Sequence, residues 1–415
     1  MATADNIFTQ VISYQSHALA YLENSSCFIS TANTEFKDFE KLEGNLGSTV
    51  SFDLTPRFMT ANSLVATFQP AAQRVQNLTC DQSANVSFEY SAEQFIFNAE
   101  QYMDKFGKSA SKELANKVEK DVATLCETAP YRFFGDGINQ INSYTQLANA
   151  LAMFRNYGAA TDNTRGYLSD LSIPGIIASG LQQFALDRNN KDAMSWELGE
   201  FDQTKWYKSN LLPVHLAGTE GNQASTLTVV SVTKNADDAV ITITFSGCNA
   251  ANDANSVKAF DKFQFNDGVA GQPDMRYLTF IGHAVSGNPV QFAATANATS
   301  TAGSQVTVTV NPPLKASSGA NQNINNEIAV GMTVQVLPDH RAGLITSGNQ
   351  LFLAMPKLPN QIPFPTSNKS DPKTGVSMRM YYGSQFGQNA QGMIHDCLWG
   401  KTLVAENSMS VIFPK

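Results

Sequence analysis

Leu227-Thr228-Val229-Val230-Ser231-Val232 and Val240-Ile241-Thr242-Ile243-Thr244-Phe245 are two short runs rich in Val, Ile and Thr, separated by a segment that contains Lys234-Asn235-Ala236-Asp237-Asp238. β-Branched residues alternating at period two and bounded by Asn and Asp mark strands joined by a turn. The same texture runs from Gly218 to about Arg341, through Phe263 to Phe265, Tyr277 to Ile281, Gln305 to Val310 and Met332 to Val336, with Gly, Asn and Asp between the runs. A small antiparallel β-domain is expected there, closed as a barrel.

On either side the pattern changes. After Gly107, Leu114, Val118, Val122 and Leu125 share one helical face while Lys112, Glu113, Lys117, Glu119 and Lys120 lie elsewhere, and Pro130 stops the helix. Ser91 and Gln94 form a capping box for a preceding helical stretch that places Phe95, Ala99, Tyr102, Met103 and Phe106 at helical spacing. Residues 144 to 157 and 174 to 187 predict two more amphipathic helices, the second opening on Pro174. Beyond the β-domain, Leu351 to Met355, Val376 to Tyr382, Gly392 to Trp399 and Met409 to Phe413 read as strands that rejoin the first part. The β-domain is therefore an insertion whose termini lie close together.

The N-terminal region is of another kind. Ile7, Val11, Ile12, Leu19 and Leu22 predict an arm helix with Asp5 or Thr3 as its cap. From Gly47 the pattern alternates through Val50, Phe52 and Leu54, then Leu64, Ala66 and Phe68, then Val86, Phe88 and Tyr90. Such an extended hairpin, interrupted by Pro56 and Pro70, has no core of its own and must pack on something else.

Composition narrows the function. The chain has 415 residues, enough for more than one core, and only 15% of them are charged. That is well below the roughly 25% of ordinary soluble proteins, as expected where much surface is buried against partners. With 36 acidic against 28 basic residues, a net charge of -8 and no dense run of Lys or Arg, direct nucleic-acid binding is not expected. No signal-like start and no long apolar run occur, so neither export nor membrane spanning is expected. The five cysteines lie far apart without a C-x-x-C spacing, as buried thiols of a reducing compartment would.

No phosphate-cradling glycine loop, G-x-S-x-G elbow or H-E-x-x-H helix occurs. His395-Asp396-Cys397 collects three metal-capable residues, but neighbours on a strand point to opposite faces and cannot converge on one ion. Asp339-His340-Arg341 falls where the insert returns to its host, and is read as a solvated charged junction rather than a catalytic dyad. No catalytic, cofactor-binding or metal-ligating residue is nominated.

The order of elements resembles the HK97-type capsid subunit, and more narrowly the coat protein of short-tailed phages that carry an inserted I-domain. Lys112-Glu113-Leu114-Ala115-Asn116-Lys117-Val118-Glu119-Lys120-Asp121-Val122-Ala123 is similar to that family's spine helix. Phe201-Asp202 and Ser209-Asn210-Leu211-Leu212-Pro213-Val214 resemble its lead-in to the insert. Val257-Lys258-Ala259-Phe260-Asp261-Lys262-Phe263-Gln264-Phe265 resembles its Gly-Asp-Lys barrel segment, with Phe260 in place of the glycine. Cys397-Leu398-Trp399-Gly400 and Ile412-Phe413-Pro414 match in position.

The resemblance implies an α+β fold divided into an N-arm (1–43), an E-loop (44–90), a spine helix with P-domain (91–140) and a first A-domain part (141–218). A β-barrel I-domain (219–341), a second A-domain part (342–392) and C-terminal P-domain strands (393–415) complete it. It implies a major capsid protein, not an enzyme, that forms hexamers and pentamers of an icosahedral shell around a phage dsDNA genome. Such a shell is assembled with scaffolding and portal proteins in the host bacterial cytoplasm. Glu35, Asp38, Glu40 and Glu43 would then contact the scaffold; Arg57, Arg74, Lys234, Asp237 and Asp238 are candidate intersubunit contacts. Two rival readings are a tail or fibre binding module, which would make rings or trimers, and a hydrolase using Asp339, His340 or His395.

Overall fold

A computed structural model describes residues 27–34, 49–60, 68, 73–91, 108–158, 162–179, 197–280, 282–359, 366–370, 377–384 and 390–415. The chain divides into two compact units, one of residues 1–52, 75–123 and 349–403, the other of residues 53–74, 124–348 and 404–415.

In chain order, a one-turn helix α1 (Cys27–Thr31) precedes strands β1 (Thr49–Leu54) and β2 (Arg74–Ser91), then helix α2 (Lys108–Ala123). After α3 (Leu125–Thr128) come β3 (Phe133–Phe134), α4 (Tyr144–Asn156), β4 (Thr164–Ser169) and α5 (Ile173–Ala178). Strands β5 (Glu197–Phe201), β6 (Thr204–Ser209) and β7 (Val214–His215) follow, then α6 (Thr219–Asn222). The insert supplies β8 (Thr226–Lys234), β9 (Val240–Ser246), β10 (Lys262–Phe265), β11 (Arg276–Leu278), β12 (Val285–Pro289), β13 (Gln291–Ala294), β14 (Gln305–Leu314) and β15 (Thr333–Val336). The chain closes with β16 (His340–Thr346), β17 (Leu351–Ala354), β18 (Thr366–Ser370), β19 (Ser377–Ser384), β20 (Ala390–Leu403) and β21 (Ser408–Pro414).

The first unit is a sheet in the order β1-β2-β20-β19-β18, with β17 also paired to β20. Period-two alternation turns Met393, His395, Cys397 and Trp399 of β20 inward, all fully buried. α2 packs on β20, since Leu114, Val118 and Val122 recur at helical spacing and are 0% exposed. The indole of Trp399 donates to Asp121 at 2.8 Å and Lys401 pairs with the same carboxylate at 2.8 Å, which fixes the helix on the strand. Gly400 is required there, because a Cβ would lie 2.4 Å from the Thr79 carbonyl oxygen. Glu119, buried on α2, accepts the backbone N–H groups of Cys27, Phe28 and Ile29 at 2.6, 2.7 and 3.1 Å. A side chain of the long helix thus satisfies the orphan donors at the start of α1.

The second unit joins a mixed sheet, β3-β21-β16-β4-β6-β5 with β7 on β16, to a closed antiparallel barrel, β10-β13-β14-β9-β8-β15. Leu227, Val229, Ile243, Phe245, Phe263, Phe292, Val306, Val308, Val334 and Val336 fill the barrel, alternating along each strand. Phe263 and Phe292 stack with ring centroids 5.0 Å apart, and each buried ring stabilises the fold by roughly 2–3 kcal/mol. The barrel is inserted as expected: β7 leads into it, β16 leads out of it, and the two pair through His215 and His340.

Several expectations change. The helix expected to run unbroken to Pro130 stops at Ala123, and Leu125 opens the separate α3. Of the segment Tyr277 to Ile281, expected as a strand of the barrel, Tyr277 and Leu278 belong to β11, which pairs with β12 outside it, and Ile281 lies outside the described residues. β12 and β13 went unpredicted because Ser286, Gly287, Asn288 and Pro289 are turn-forming types. The arm helix over residues 5 to 23, the Ser91 to Phe106 half of the long helix and most of the 174 to 187 helix lie outside the described residues; of the last, α5 is present.

Candidate functional site

A constellation of titratable side chains lies beneath the barrel, where it meets the mixed sheet. The Nδ1 of His215 on β7 is 2.7 Å from Glu127 on α3, and its Nε2 is 2.7 Å from Asp261 in the turn before β10. Burial alone would lower this imidazole, but hydrogen bonds to Asp261 and Glu127 outweigh it and push the ring up to about 9. As an imidazolium it donates to a carboxylate at each end. Asp261, 1% exposed, also accepts the backbone N–H groups of Gly218 at 3.1 Å and Lys258 at 2.7 Å.

Lys262, next along the chain, points the other way and is fully buried. Its Nζ donates to the Pro130 carbonyl at 2.9 Å and to Ser410 Oγ at 2.5 Å, and the Ser410 hydroxyl in turn donates a hydrogen bond to the Cys126 carbonyl at 2.7 Å. Burial pushes the ammonium down to about 7. Asp261 and Lys262 therefore tether the barrel to its host through opposite charges on adjacent residues.

This arrangement corrects the reading of Asp339-His340-Arg341 as a solvated junction. His340 is 0% exposed, its Nδ1 donates to the Pro338 carbonyl at 2.7 Å, and its ring lies 5.1 Å from that of His215. Burial, with Lys262 and His215 nearby, pushes it down to about 3. Asp339 accepts from the Ala217 backbone at 2.9 Å and from Lys415 at 2.8 Å. A general base needs a free ring nitrogen beside a nucleophile, and both nitrogens of His215 are already taken by carboxylates.

His395, Asp396 and Cys397 alternate as strand neighbours do: His395 and Cys397 are buried, while Asp396 pairs outward with Arg379. Among the described residues no group of three metal-capable side chains converges. Burial pushes the Cys397 thiol up to about 12 and the Cys80 thiol up to about 11, far from the thiolate that reactivity requires.

Of the candidate contact residues, Arg57 and Arg74 come together on Glu406, with Arg57 at 2.9 Å. Lys234 pairs with Asp238 at 2.9 Å and Glu327 at 3.3 Å, while Asn235 Oδ1 accepts the Asp237 and Ala239 backbone N–H groups and shapes the β8–β9 turn. Glu35, Asp38, Glu40 and Glu43 lie outside the described residues. Sequence reasoning missed His215, Glu127 and Glu406, whose partners are distant in the chain. A partial signal for the junction was Asp261-Lys262, two charged residues among apolar strand residues.

Residues 209–404 match the family described as P22 coat protein, gene protein 5. Over this span, just under half of the chain, the sequence is similar to that phage coat protein family. The match supports the expected reading as a shell-forming coat subunit of a tailed phage. A mixed α and β host interrupted by a closed barrel is the architecture expected from the sequence. Solved structures similar to this chain include Mycobacterium phage Che8, at 8% identity over 94% of this chain and 90% of that one, with a TM-score of 0.45. The Cyanophage Pam1 capsid asymmetric unit is 7% identical over 94% and 89%, with a TM-score of 0.43. The capsid of Ralstonia phage GP4 is 9% identical over 92% and 86%, with a TM-score of 0.42. No curated protein matches the chain.

Proposed function

We propose that the chain is the major coat protein of a tailed phage with an HK97-type fold, and that it assembles, guided by a scaffolding protein and closed at a portal, into an icosahedral shell of hexamers and pentamers around the phage dsDNA in the host bacterial cytoplasm. The observation that carries this reading is the family match across the inserted barrel and its return into the host sheet. In this scheme residues 1–43 are the N-arm, 44–90 the E-loop, 91–140 the spine helix and P-domain, 141–218 with 342–392 the A-domain, 219–341 the I-domain and 393–415 the closing P-domain strands. Arg57, Arg74, Lys234, Asp237 and Asp238 are proposed at or near intersubunit contacts, and Glu35, Asp38, Glu40 and Glu43 as the acidic face for a basic scaffold segment. The junction beneath the barrel then has a structural task, holding a separately closed barrel in a fixed place on a subunit that must pack identically many times.

Expressing the chain with and without its scaffolding protein and imaging the high-mass fraction by negative-stain electron microscopy tests the reading. Closed shells of uniform diameter are expected when both are present. Rings or small monodisperse oligomers alone would transfer the chain to the tail or fibre class.

A further inference from the structure

Residues 53–74 belong to the second unit although the chain on either side belongs to the first, and one carboxylate meets both ends of this stretch. Glu406 sits on the 3₁₀ turn Ala405–Asn407 just before β21. Arg57, at the outgoing root, reaches Glu406 Oε1 at 2.9 Å. Arg74, at the returning root, takes the same carboxylate in a two-pronged grip, one bond being 3.0 Å, and also donates to the Thr55 carbonyl at 3.3 Å. The roots are further joined by Gln73, which donates to Asp53 at 2.7 Å.

The same locus touches the insert. Arg57 lies over the ring of Phe280, its Cζ 4.7 Å from the centroid, and Arg132 lies 5.0 Å from the same ring. Arg132 is 0% exposed and donates to the backbone carbonyl of Glu406. Two guanidinium groups thus share the Glu406 carboxylate, and a third holds its backbone carbonyl. Burial would raise its pKa, but Arg74 and Arg57 hold it below the usual carboxylate range.

We propose that Glu406 is a clasp: one carboxylate that holds two roots of the chain together, residues 53–58 and Gln73–Arg74, sets Arg57 against Phe280 of the insert, and so fixes how the exposed Phe58 is presented. Single ion pairs at a partly exposed site contribute little. Two guanidiniums from opposite roots sharing one carboxylate behave differently, because once one root is held the other is presented at high effective concentration. Without the carboxylate, Arg57 and Arg74 become neighbouring like charges, and attraction turns to repulsion. The clasp concerns the single chain. Its consequence for shell geometry rests on the coat-protein reading, and the test below is run on unassembled chain, so either can fail without the other.

Amide hydrogen exchange followed by mass spectrometry is compared for the parent chain, Glu406→Gln, Arg57→Met and Arg74→Met. Each variant is expected to speed exchange about tenfold at both roots, residues 53–58 and 73–77, while β9 and β14 keep their protection. Unchanged protection at the roots would overturn the proposal, and so would loosening that spreads equally through the barrel. The two arginine variants keep it testable if Glu406→Gln does not fold. A clasp requires each arginine to loosen the opposite root as well as its own, and strictly local loosening would reduce Glu406 to two independent ion pairs.

Discussion

At residue scale, Phe260 bends the backbone where only glycine does so without strain. Its φ is +70°, in the left-handed region, at the position where the resemblance places a glycine. The twist has a purpose: the Phe260 N–H reaches the Ala294 carbonyl at 2.8 Å, and the following Asp261 is delivered to His215 and to the Gly218 and Lys258 backbone. Sequence showed the substitution but not the dihedral that gives it meaning. Removing the side chain with Ala retains the strain, whereas Gly removes both. Phe260→Gly is therefore expected to be more stable than Phe260→Ala by about 1 kcal/mol, read from denaturant midpoints at equal slope. Equal midpoints would mean the backbone relaxes once the ring is gone.

At element scale, the strands whose alternation is uninterrupted were legible: β8, β9, β14 and β15 sit where Val, Ile, Phe and Thr predict them. Periodicity could not show which elements meet. His215 and Asp261 are 46 residues apart and His215 and Glu127 are 88 apart, so their contact is a product of closure, not of local pattern. That joint has a pH signature. His215, raised to about 9, contributes stability that is full below the unfolded pKa near 6.5 and is lost as pH rises through about 9. Lys262, lowered to about 7, has the opposite sign: the unfolded chain holds its proton up to about 10.4, so stability rises over that window. Between about 7 and 9 the two slopes oppose each other. Lys262→Met removes one of them, and the variant is expected to lose roughly 1 kcal/mol per pH unit across that range relative to the parent. Urea midpoints at closely spaced pH values measure this, and parallel profiles would show that Lys262 does not carry the lowered pKa assigned to it.

At the scale of the whole molecule, each copy carries a net charge of -8 with only 15% charged residues, so copies repel at long range although few of their residues are charged. Screening that repulsion should help copies meet. Contact with a basic scaffold through Glu35, Asp38, Glu40 and Glu43 would be an attraction, and the same screening should weaken it. Two steps of one assembly reaction are thus expected to respond oppositely to salt. Raising ionic strength from about 0.05 M to about 0.5 M shortens the Debye length from roughly 14 Å to roughly 4 Å. Light scattering should then show faster growth for the coat protein alone and slower growth for the mixture at limiting scaffold. Neutralising the four acidic residues should abolish the scaffold's salt dependence while leaving that of the coat protein alone in the same direction. A mixture that assembles equally well at both ionic strengths, with or without those carboxylates, would remove the acidic face from the scheme and leave scaffold recognition to uncharged contacts.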